Sequence, residues 1–317
     1  MMIMQPTLHW RPLRREDDTA LRHLELACAA ADGNPNPIAE AAFLEKVGRG
    51  GADADTLCAA DADGNLAAWA WVSFDDGFAH ERRAYLQGGV RLDLRRKGLG
   101  SHLLAWTESR ARQVYAAVPD ARPLVMRIDV YHENPDAFSF FERRGFHFAL
   151  AEDELRRDLS QSIPASPLPE GMTFVPWTEE NTGEFFRAYQ DAFSTRPGFP
   201  GWTEEVWRRA FTGGDDFRAD LSLLLLDGAE PVGYAVCAVE GEEGWIVQVG
   251  VRPAWRRRGL AGALLSETMR RFQREGLRAA MLDVNVNNPR AMSVYRRLGF
   301  ERLWRCTSHR KTVEASR

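Results

Sequence analysis

The sequence predicts two similar domains in tandem, each of the α+β class, or α/β in the looser usage of that term. The chain has 317 residues, which is enough for two domains of ordinary size. Residues 86–104 match residues 247–265 at ten of nineteen positions, and residues 134–146 match residues 288–300 at seven of thirteen. One repetition in the same order indicates a duplicated domain rather than a solenoid, which needs about three or more short repeats.

A linker separates the two copies. Residues 159–171, LSQSIPASPLPEG, are rich in serine and proline and poor in large apolar side chains. This composition is typical of a segment between domains. We therefore expect domain one at residues 1–160 and domain two at residues 168–317.

The second copy predicts the element order βααβββαβαβ, with one or two strands at its end. The segments are, in chain order, residues 172–177, 178–193, 202–211, 221–240 (a hairpin), 244–253, 259–276, 278–286, 289–300 and 301–313. The first copy follows the same order, and this mixture of strands and helices gives the α+β class.

Local signals support the first half of this order. Thr178 and the acidic residues after it form a helix start. The helix that follows carries aromatic side chains at helical spacing, namely Phe185, Phe186, Tyr189 and Phe193. Two apolar runs around the turn DGAE predict the hairpin.

Glycine and proline mark the second half. Pro253 ends the third apolar strand, and Gly276 closes an amphipathic helix. Pro289 is a favoured first-turn residue and opens the last helix, which Gly299 closes.

Composition excludes several classes of protein. The net charge of −4 argues against binding nucleic acid by bulk electrostatics, and no run approaches the roughly 18 apolar residues of a membrane span. The amino terminus lacks the apolar core of a signal peptide. The cysteines show neither a CxxC pair nor metal-ligand spacing, and they are Cys28, Cys58, Cys237 and Cys306. We expect a cytoplasmic protein with reduced thiols and no metal site.

Basic and small residues follow a strand and open a helix in both copies. They are Arg256, Arg257, Arg258, Gly259, Ala261 and Gly262 in the second copy, and Arg95, Arg96, Lys97, Gly98 and Gly100 in the first. A helix amino terminus attracts phosphate, and small residues let the backbone approach a ligand. The alternative, a solvated basic turn, is weakened by the second occurrence. The P-loop pattern GxxxxGK[ST] and the dinucleotide pattern GxGxxG are both absent.

The pattern Arg-x-x-Gly-x-Gly/Ala at this junction resembles the acyl-CoA-binding motif of the GNAT superfamily of N-acyltransferases. The downstream block NxxAxxxYxxxGF is similar to the last helix of that family, and here it comprises Asn288, Ala291, Tyr295, Gly299 and Phe300. The resemblance implies two tandem GNAT-like domains, each a mixed, mostly antiparallel sheet flanked by helices.

The resemblance also implies where acetyl-CoA binds. The strands at 245–252 and 278–286 should splay apart, with the pantetheine arm in the gap and the pyrophosphate on backbone amides of the loop. The residues assigned to this ligand in domain two are Val249, Val251, Arg256, Arg257, Arg258, Gly259, Leu260, Ala261, Gly262 and Asn288. Those in domain one are Val90, Arg95, Arg96, Gly98, Leu99, Gly100, Ser101 and Asn134. Both asparagines also precede a proline as helix caps.

The resulting hypothesis is an acyl-CoA-dependent N-acyltransferase that transfers acetyl from acetyl-CoA to a primary amine of a small molecule or protein by direct attack, with a small-molecule or peptide amine as the expected partner. Two alternatives are a CoA-binding sensor or scaffold without turnover, and a nucleic-acid-binding protein, which the acidic total disfavours. The fused copies predict either a monomer with an internal pseudo-dimer or a homodimer.

Tyr295 is the candidate proton donor to the departing thiolate, and a core aromatic is its alternative role. Domain one carries Phe141 at the matching position, so we expect domain two to be catalytic and domain one to be degenerate. Asp283 and Asp129 suit either a structural role at the splay or catalysis.

The general base is less well defined by the sequence. The strand at 245–252 carries no acid, so Glu243 is the candidate base, unless it is only solvated. Glu240, Glu242 and a backbone-held water are its alternatives.

Overall fold

The computed structural model describes residues 8–33, 55–118, 121–131, 134–196 and 199–314. The second helix that the repeat predicts for the first copy lies outside these ranges. By its contacts the chain divides into two compact units. The first comprises Met1–Leu150 with Cys306–Arg317, and the second comprises Ala151–Arg305.

The elements of the first unit alternate as the repeat predicts. They are β1 (His9–Arg11), α1 (Asp18–Asp32), β2 (Thr56–Ala60), β3 (Leu66–Asp75), β4 (Arg82–Val90), α2 (Leu99–Ala116), β5 (Leu124–Tyr131), α3 (Pro135–Glu142) and the last part of β12 (Glu301–Val313). The strands lie in the order β1-β2-β3-β4-β5-β12. Only β4 and β5 are parallel, while the other neighbours are antiparallel.

The second unit has the same plan. Its elements are β6 (His147–Asp158, from residue 151 onward), β7 (Met172–Pro176), α4 (Thr182–Phe193), α5 (Glu204–Thr212), β8 (Leu223–Asp227), β9 (Glu230–Glu240), β10 (Glu243–Val251), α6 (Leu260–Arg274), β11 (Ala279–Asn285), α7 (Pro289–Arg297) and the first part of β12. The strand order is β6-β11-β10-β9-β8-β7, and only β10 and β11 are parallel. The mixed, mostly antiparallel sheet flanked by helices is confirmed.

Each face of the second sheet has its own apolar core. Phe185 of α4 and Trp207 of α5 pack with Tyr234 of β9 on one side, here called the α4/α5 face. Leu264 of α6 and Tyr295 of α7 pack with strand residues of the other side, the α6/α7 face. Burying one such side chain contributes about 1.5–3 kcal/mol, so the two cores hold the helices on the sheet.

Most helix ends follow the sequence signals, but α4 begins at Thr182, after Asn181, rather than at Thr178. Gly276 and Gly299 adopt left-handed backbone angles, with φ of 78° and 83°, just beyond α6 and α7. Thr203 caps α5 by accepting a hydrogen bond from the Val206 N–H. The final segment forms one long strand, β12, rather than two. No helix among the described residues is both long and apolar enough to cross a membrane.

The unit boundaries differ from those expected at residues 1–160 and 168–317. The strand before the linker, β6, pairs with β11 of the second unit over residues 152–158. The last residues of the chain, 306–313, pair with β5 of the first unit. Each sheet is therefore completed by a strand that the other copy of the repeat encodes.

Candidate active site

A cleft opens in the second unit where its two parallel strands part. The pairing of β10 with β11 covers only three positions and ends at Trp245 and Met281. Both strands continue beyond these residues, to Val251 and Asn285. The backbone of β10 therefore presents unpaired groups to the gap, as an added extended ligand requires. This is the splay that the resemblance implied.

A β-bulge lies at the opening of this cleft. The register of β10 against β9 shifts between Ile246 and Gln248, which leaves Val247 without a partner position. Gln248 is held in place because its Oε1 accepts hydrogen bonds from Trp207 Nε1 at 3.0 Å and from the Tyr234 hydroxyl at 2.7 Å. Bulges interrupt the ladder and leave backbone polar groups available, and they are frequent beside active sites.

The loop before α6 has the shape of an anion site. Arg257 adopts a left-handed conformation with φ of 65°, and Gly259 follows with φ of 78°. The first hydrogen bond within the helix runs from the Ala263 N–H to the Gly259 carbonyl. The N–H groups of Leu260, Ala261 and Gly262 therefore have no partner inside the helix and carry the positive end of its dipole. A Cβ atom added to Gly259 would have no other atom within 4 Å, so the space around this residue is open.

The predicted arginines divide into two groups. Arg256 points back into the protein, where Nε donates to the Val251 carbonyl at 2.9 Å and Nη2 to the Ala192 carbonyl at 2.7 Å. Its role in the structure is to tie the loop to β10 and to α4. Arg257 and Arg258 are exposed and remain available to an anion.

Two other predicted ligand residues also have structural partners. A Cβ on Gly262 would lie 3.2 Å from Ser166 Oγ, so the linker closely approaches this position. Asn288 caps α7, because its Oδ1 accepts from the Ala291 N–H at 3.2 Å. Val249 and Val251 lie on β10 beyond the bulge, at the edge of the cleft.

Tyr295 is a buried residue of α7 that packs edge-on against Phe300. Its hydroxyl has no hydrogen-bond partner among the described residues. Burial raises the pKa of Tyr295 to about 12, so the phenol holds its proton at neutral pH. A protonated hydroxyl without a partner is suited to donate to a leaving group.

Glu243 lies at the paired end of the cleft. Its backbone is in register with Ala279, two positions before the strands part, and its carboxylate forms a 3.3 Å ion pair with Arg156 of β6. The role of Glu243 as a base stays a prediction. The alternative Glu242 forms an ion pair with Arg278 at 3.0 Å.

The sequence analysis missed an acid on the neighbouring strand. Glu154 of β6 pairs directly with Asp283 of β11, so both carboxyls lie on the same face of the sheet. Burial, together with the charges of Asp283, Glu243 and Glu240, raises the pKa of Glu154 to about 8. Asp283 is exposed, and desolvation by the surrounding protein together with the charge of Glu152 raises its pKa. The two acids are brought together only because β6 pairs with β11. The two strands are remote in sequence, so the sequence does not indicate this pairing.

The first unit repeats the loop. Arg96 and Gly98 have left-handed φ angles of 62° and 90°. Arg95 again points inward, donating to the Val90 carbonyl at 3.1 Å and to the carboxylate of Asp32 at 2.6 and 2.7 Å. Leu99, Gly100 and Ser101 form the first turn of α2, and Asn134 caps α3 by accepting from the Ala137 N–H at 3.1 Å.

The described part of the first unit has neither the tyrosine nor the bulge of the second. Phe141 replaces the tyrosine and packs among Phe140, Phe146 and His309. The β3–β4 register runs without a shift from Asp75 to Ala68, so the described strand has no bulge. The strands β4 and β5 still part, since their pairing ends at Tyr85 and Arg127.

The described residues contain no group of three or more His, Cys, Asp or Glu side chains that could hold a metal ion. The geometry of the second unit is therefore that of an anion loop, a backbone cleft and titratable side chains on both faces of the sheet.

Comparison with known proteins agrees with this geometry. The sequence profile of the Acetyltransferase (GNAT) family matches residues 19–146 and 176–300. The mycothiol acetyltransferase of Nocardia farcinica is 29% identical over 93% of this chain and 94% of its own length, and that of Salinispora arenicola is 31% identical over 88% and 89%.

Solved structures show the same arrangement. The GCN5-related N-acetyltransferase from Sphaerobacter thermophilus is 26% identical, with a TM-score of 0.82 over 98% of this chain and 97% of that one. A tandem GNAT protein from the clavulanic acid biosynthesis pathway has the same fold, with 19% identity and a TM-score of 0.70. A duplicated loop, a splayed pair of strands in each unit and matches along both halves lead to one conclusion: the chain belongs to the GNAT acetyltransferase family and is an N-acetyltransferase.

Proposed function

We propose that the second unit transfers the acetyl group of acetyl-CoA to the primary amine of a small molecule. The observation that carries the proposal is the cleft between β10 and β11, which has a bulge at its opening, an anion loop at one end and a protonated tyrosine on one face. The relatives named mycothiol acetyltransferase support a small-molecule acceptor.

The residues of the second unit fit acetyl-CoA. The N–H groups of Leu260, Ala261 and Gly262, with Arg257 and Arg258, would bind the pyrophosphate. Val249 and Val251 would offer backbone groups to the pantetheine arm, as an edge strand does to an extended ligand. A backbone N–H left unpaired by the bulge at Val247 would polarise the thioester carbonyl.

Tyr295 would protonate the departing thiolate. A phenol with a pKa of about 12 remains protonated over the working pH range, so it acts as a donor without a preceding proton uptake. Its place on the α6/α7 face puts the donor on the side of the sheet that carries the anion loop.

The first unit would bind acetyl-CoA without turning it over. Its loop keeps the left-handed Arg96 and Gly98, and its β4–β5 pair is splayed, while Phe141 has no proton to give. This combination favours a binding or structural role for the first unit over a second active site.

The test is turnover with a panel of amines. Release of free CoA thiol from acetyl-CoA is measured with glucosamine, spermidine, phenethylamine and the acceptor of the mycothiol acetyltransferases. Acetylation of at least one amine, abolished by mutation in the second unit and not in the first, is the expected result. Two bound acetyl-CoA molecules with no turnover of any amine would favour the sensor alternative.

A further inference from the structure

An acidic side chain with one unpartnered carboxyl oxygen lies on the α4/α5 face, next to the cleft. Glu154 is 6% exposed, and its Oε1 has no hydrogen-bond partner among the described residues. Leaving a buried carboxyl oxygen without a hydrogen bond is energetically unfavourable. A ligand that donates a hydrogen bond there would remove this cost.

Strand registers place Glu154 on the side of the sheet opposite Tyr295. Asp283 pairs with Glu154 across β11 and β6, and Met281, on the same face, is in register with Trp245 of β10. Trp245 in turn is in register with Ala238 of β9, and Val236 of that strand packs under α4 and α5. The neighbouring residues Leu155 and Leu282 pack on the α6/α7 face.

Asp283 brings the acid pair to the cleft. It lies two residues beyond Met281, where β10 and β11 are no longer paired. Directly opposed side chains of antiparallel strands have Cβ atoms about 4.5–5.5 Å apart, so the carboxyl of Glu154 lies beside that of Asp283. Neither carboxyl forms an ion pair with a described cationic side chain, and two adjacent acids lack a counter-charge.

The role inferred for Glu154 rests on the proposed acetyltransferase function and deepens it. We propose that the acceptor amine enters on the α4/α5 face as an ammonium ion, binds between Glu154 and Asp283, and gives its proton to Glu154. Glu154 is thus the general base of the reaction, and it is supplied by the strand that precedes the linker.

The charged groups around Glu154 favour this exchange. Acids act on it from three strands, namely Asp283 on β11, Glu243 on β10 and Glu240 on β9, while Glu152 of its own strand acts on Asp283. The nearby arginines are already engaged, Arg156 with Glu243 and Arg196 with Glu152 at 4.0 Å. A side-chain hydrogen bond with Trp304 opposes the upward pKa shift of Glu154 without cancelling it.

A raised pKa makes Glu154 a better match for an amine. The pKa of a primary ammonium is near 10.4, and that of an ordinary glutamate is near 4.3. At about 8, the carboxyl of Glu154 can take the ammonium proton at a much smaller free-energy cost.

The proposed step balances as follows. The ammonium loses one proton to the Glu154 carboxylate, and its nitrogen lone pair then forms a bond to the thioester carbonyl carbon. The carbon–sulfur bond breaks, and the thiolate takes the phenolic proton of Tyr295. The nitrogen releases its second proton to solvent as the amide forms, and solvent reprotonates Tyr295. Glu154 returns its proton to solvent before the next turnover.

The test compares Glu154→Gln with Ser308→Ala, at the matching position of the first unit. Ser308 pairs with Asp129 on β5 just as Glu154 pairs with Asp283. We use the amine of the panel that the wild-type protein acetylates fastest. For Glu154→Gln we expect kcat/KM for the amine to fall roughly 10²–10³-fold at pH 7.5, with unchanged acetyl-CoA affinity by calorimetry. Ser308→Ala should keep the wild-type kcat/KM.

The pH profile separates chemistry from structure. The wild-type kcat/KM should rise to about pH 8 and then level off, whereas that of Glu154→Gln should keep rising toward the amine pKa. The deficit should therefore shrink about tenfold per pH unit between pH 8 and pH 10. Glu154→Asp retains the carboxylate and should show a wild-type-shaped profile at reduced rate.

The outcomes distinguish the two proposals. If the pH profile of kcat/KM for Glu154→Gln is parallel to that of the wild type, the assignment of Glu154 is overturned, whatever the absolute rate of the variant. The acetyltransferase function would remain intact. A wild-type protein that acetylates no amine overturns the proposed function itself.

Discussion

The loop before α2 and the loop before α6 have nearly the same backbone. The paired arginines Arg96 and Arg257 differ by 3° in φ, and Arg95 and Arg256 each tie their loop to the preceding strand. Left-handed arginines cost free energy, so two loops that keep them share a constraint that a solvated turn would not impose.

The clefts beside these loops differ at most of their chemical groups, although each contains an aspartate at the matching position, Asp283 or Asp129. The second unit has Tyr295, a bulge at Val247 and the acid pair, while the first has Phe141 and a continuous strand. In the first unit, the Ser308 hydroxyl donates to Asp129 at 2.5 Å and Arg127 pairs with the same carboxylate at 2.8 Å, so this acid is fully engaged. The comparison teaches that a ligand-binding loop and the groups that react with the ligand can diverge independently within one fold.

The largest expected effect comes from exchanging the aromatic pair. Tyr295→Phe removes the proposed proton donor and keeps the ring, so we expect kcat to fall about 10²–10⁴-fold with little change in acetyl-CoA affinity. The matched variant Phe141→Tyr should leave turnover unchanged, because the first unit lacks the acid pair and the bulge. Steady-state kinetics of both variants measure this. Full activity in Tyr295→Phe would remove the proposed distinction between the units.

The second prediction changes the loops. Gly259→Val places a β-branched residue at φ of 78°, a conformation that such residues avoid, so the loop must rearrange. We expect the acetyl-CoA affinity of the second unit to fall at least about tenfold, with loss of turnover at low acetyl-CoA. Gly98→Val should remove binding by the first unit and leave turnover intact. Calorimetry gives both affinities, and loss of turnover in Gly98→Val alone would reverse the assignment.

The third prediction concerns stability and pH. The pKa of Glu154 is raised on folding, so the unfolded chain loses this proton at lower pH than the folded one, and the folded state is destabilised as pH rises from about 4.5 to about 8. Glu154→Gln removes the titrating carboxyl and therefore this pH-dependent loss of folding stability. At pH 8.5 we expect the variant to be more stable than the wild type by at least about 1.4 kcal/mol, which is one pKa unit.

The control for this prediction is low pH. At pH 4 the Glu154 carboxyl is largely protonated in both the folded and the unfolded wild-type chain. The stability advantage of Glu154→Gln should therefore largely vanish at this pH. Thermal unfolding at the two pH values measures the difference. Equal gains at both pH values would show that titration of Glu154 is not the cause.

Local signals in the sequence predicted most of the elements and both loops. The caps at Asn134 and Asn288, the stops at Gly276 and Gly299 and the Tyr295–Phe141 difference follow from residue types that act within a turn or two. The splay predicted for β10 and β11 is present, and β4 and β5 of the first unit part in the same way.

Non-local pairing could not be predicted in the same way. The segment AEDELRRD contains only two apolar residues and does not identify a partner strand, so nothing in it singles out Glu154. The exchange of β6 and β12 and the bulge at Val247 depend on contacts between remote segments. The inward direction of Arg95 and Arg256 likewise depends on acceptors, including Asp32 and Ala192, that the loops do not contain.

The last part of β12, which completes the sheet of the first unit, has a consequence for folding during translation. Leu124 of β5 pairs with Val313, which is synthesised 189 positions later. At about 5–20 residues per second, the ribosome takes roughly 10–40 s to cover that distance. During this interval the edge of β5 has no native partner, and an exposed strand edge invites association with other chains. The nascent first half therefore exposes this edge until residues 306–313 have been synthesised.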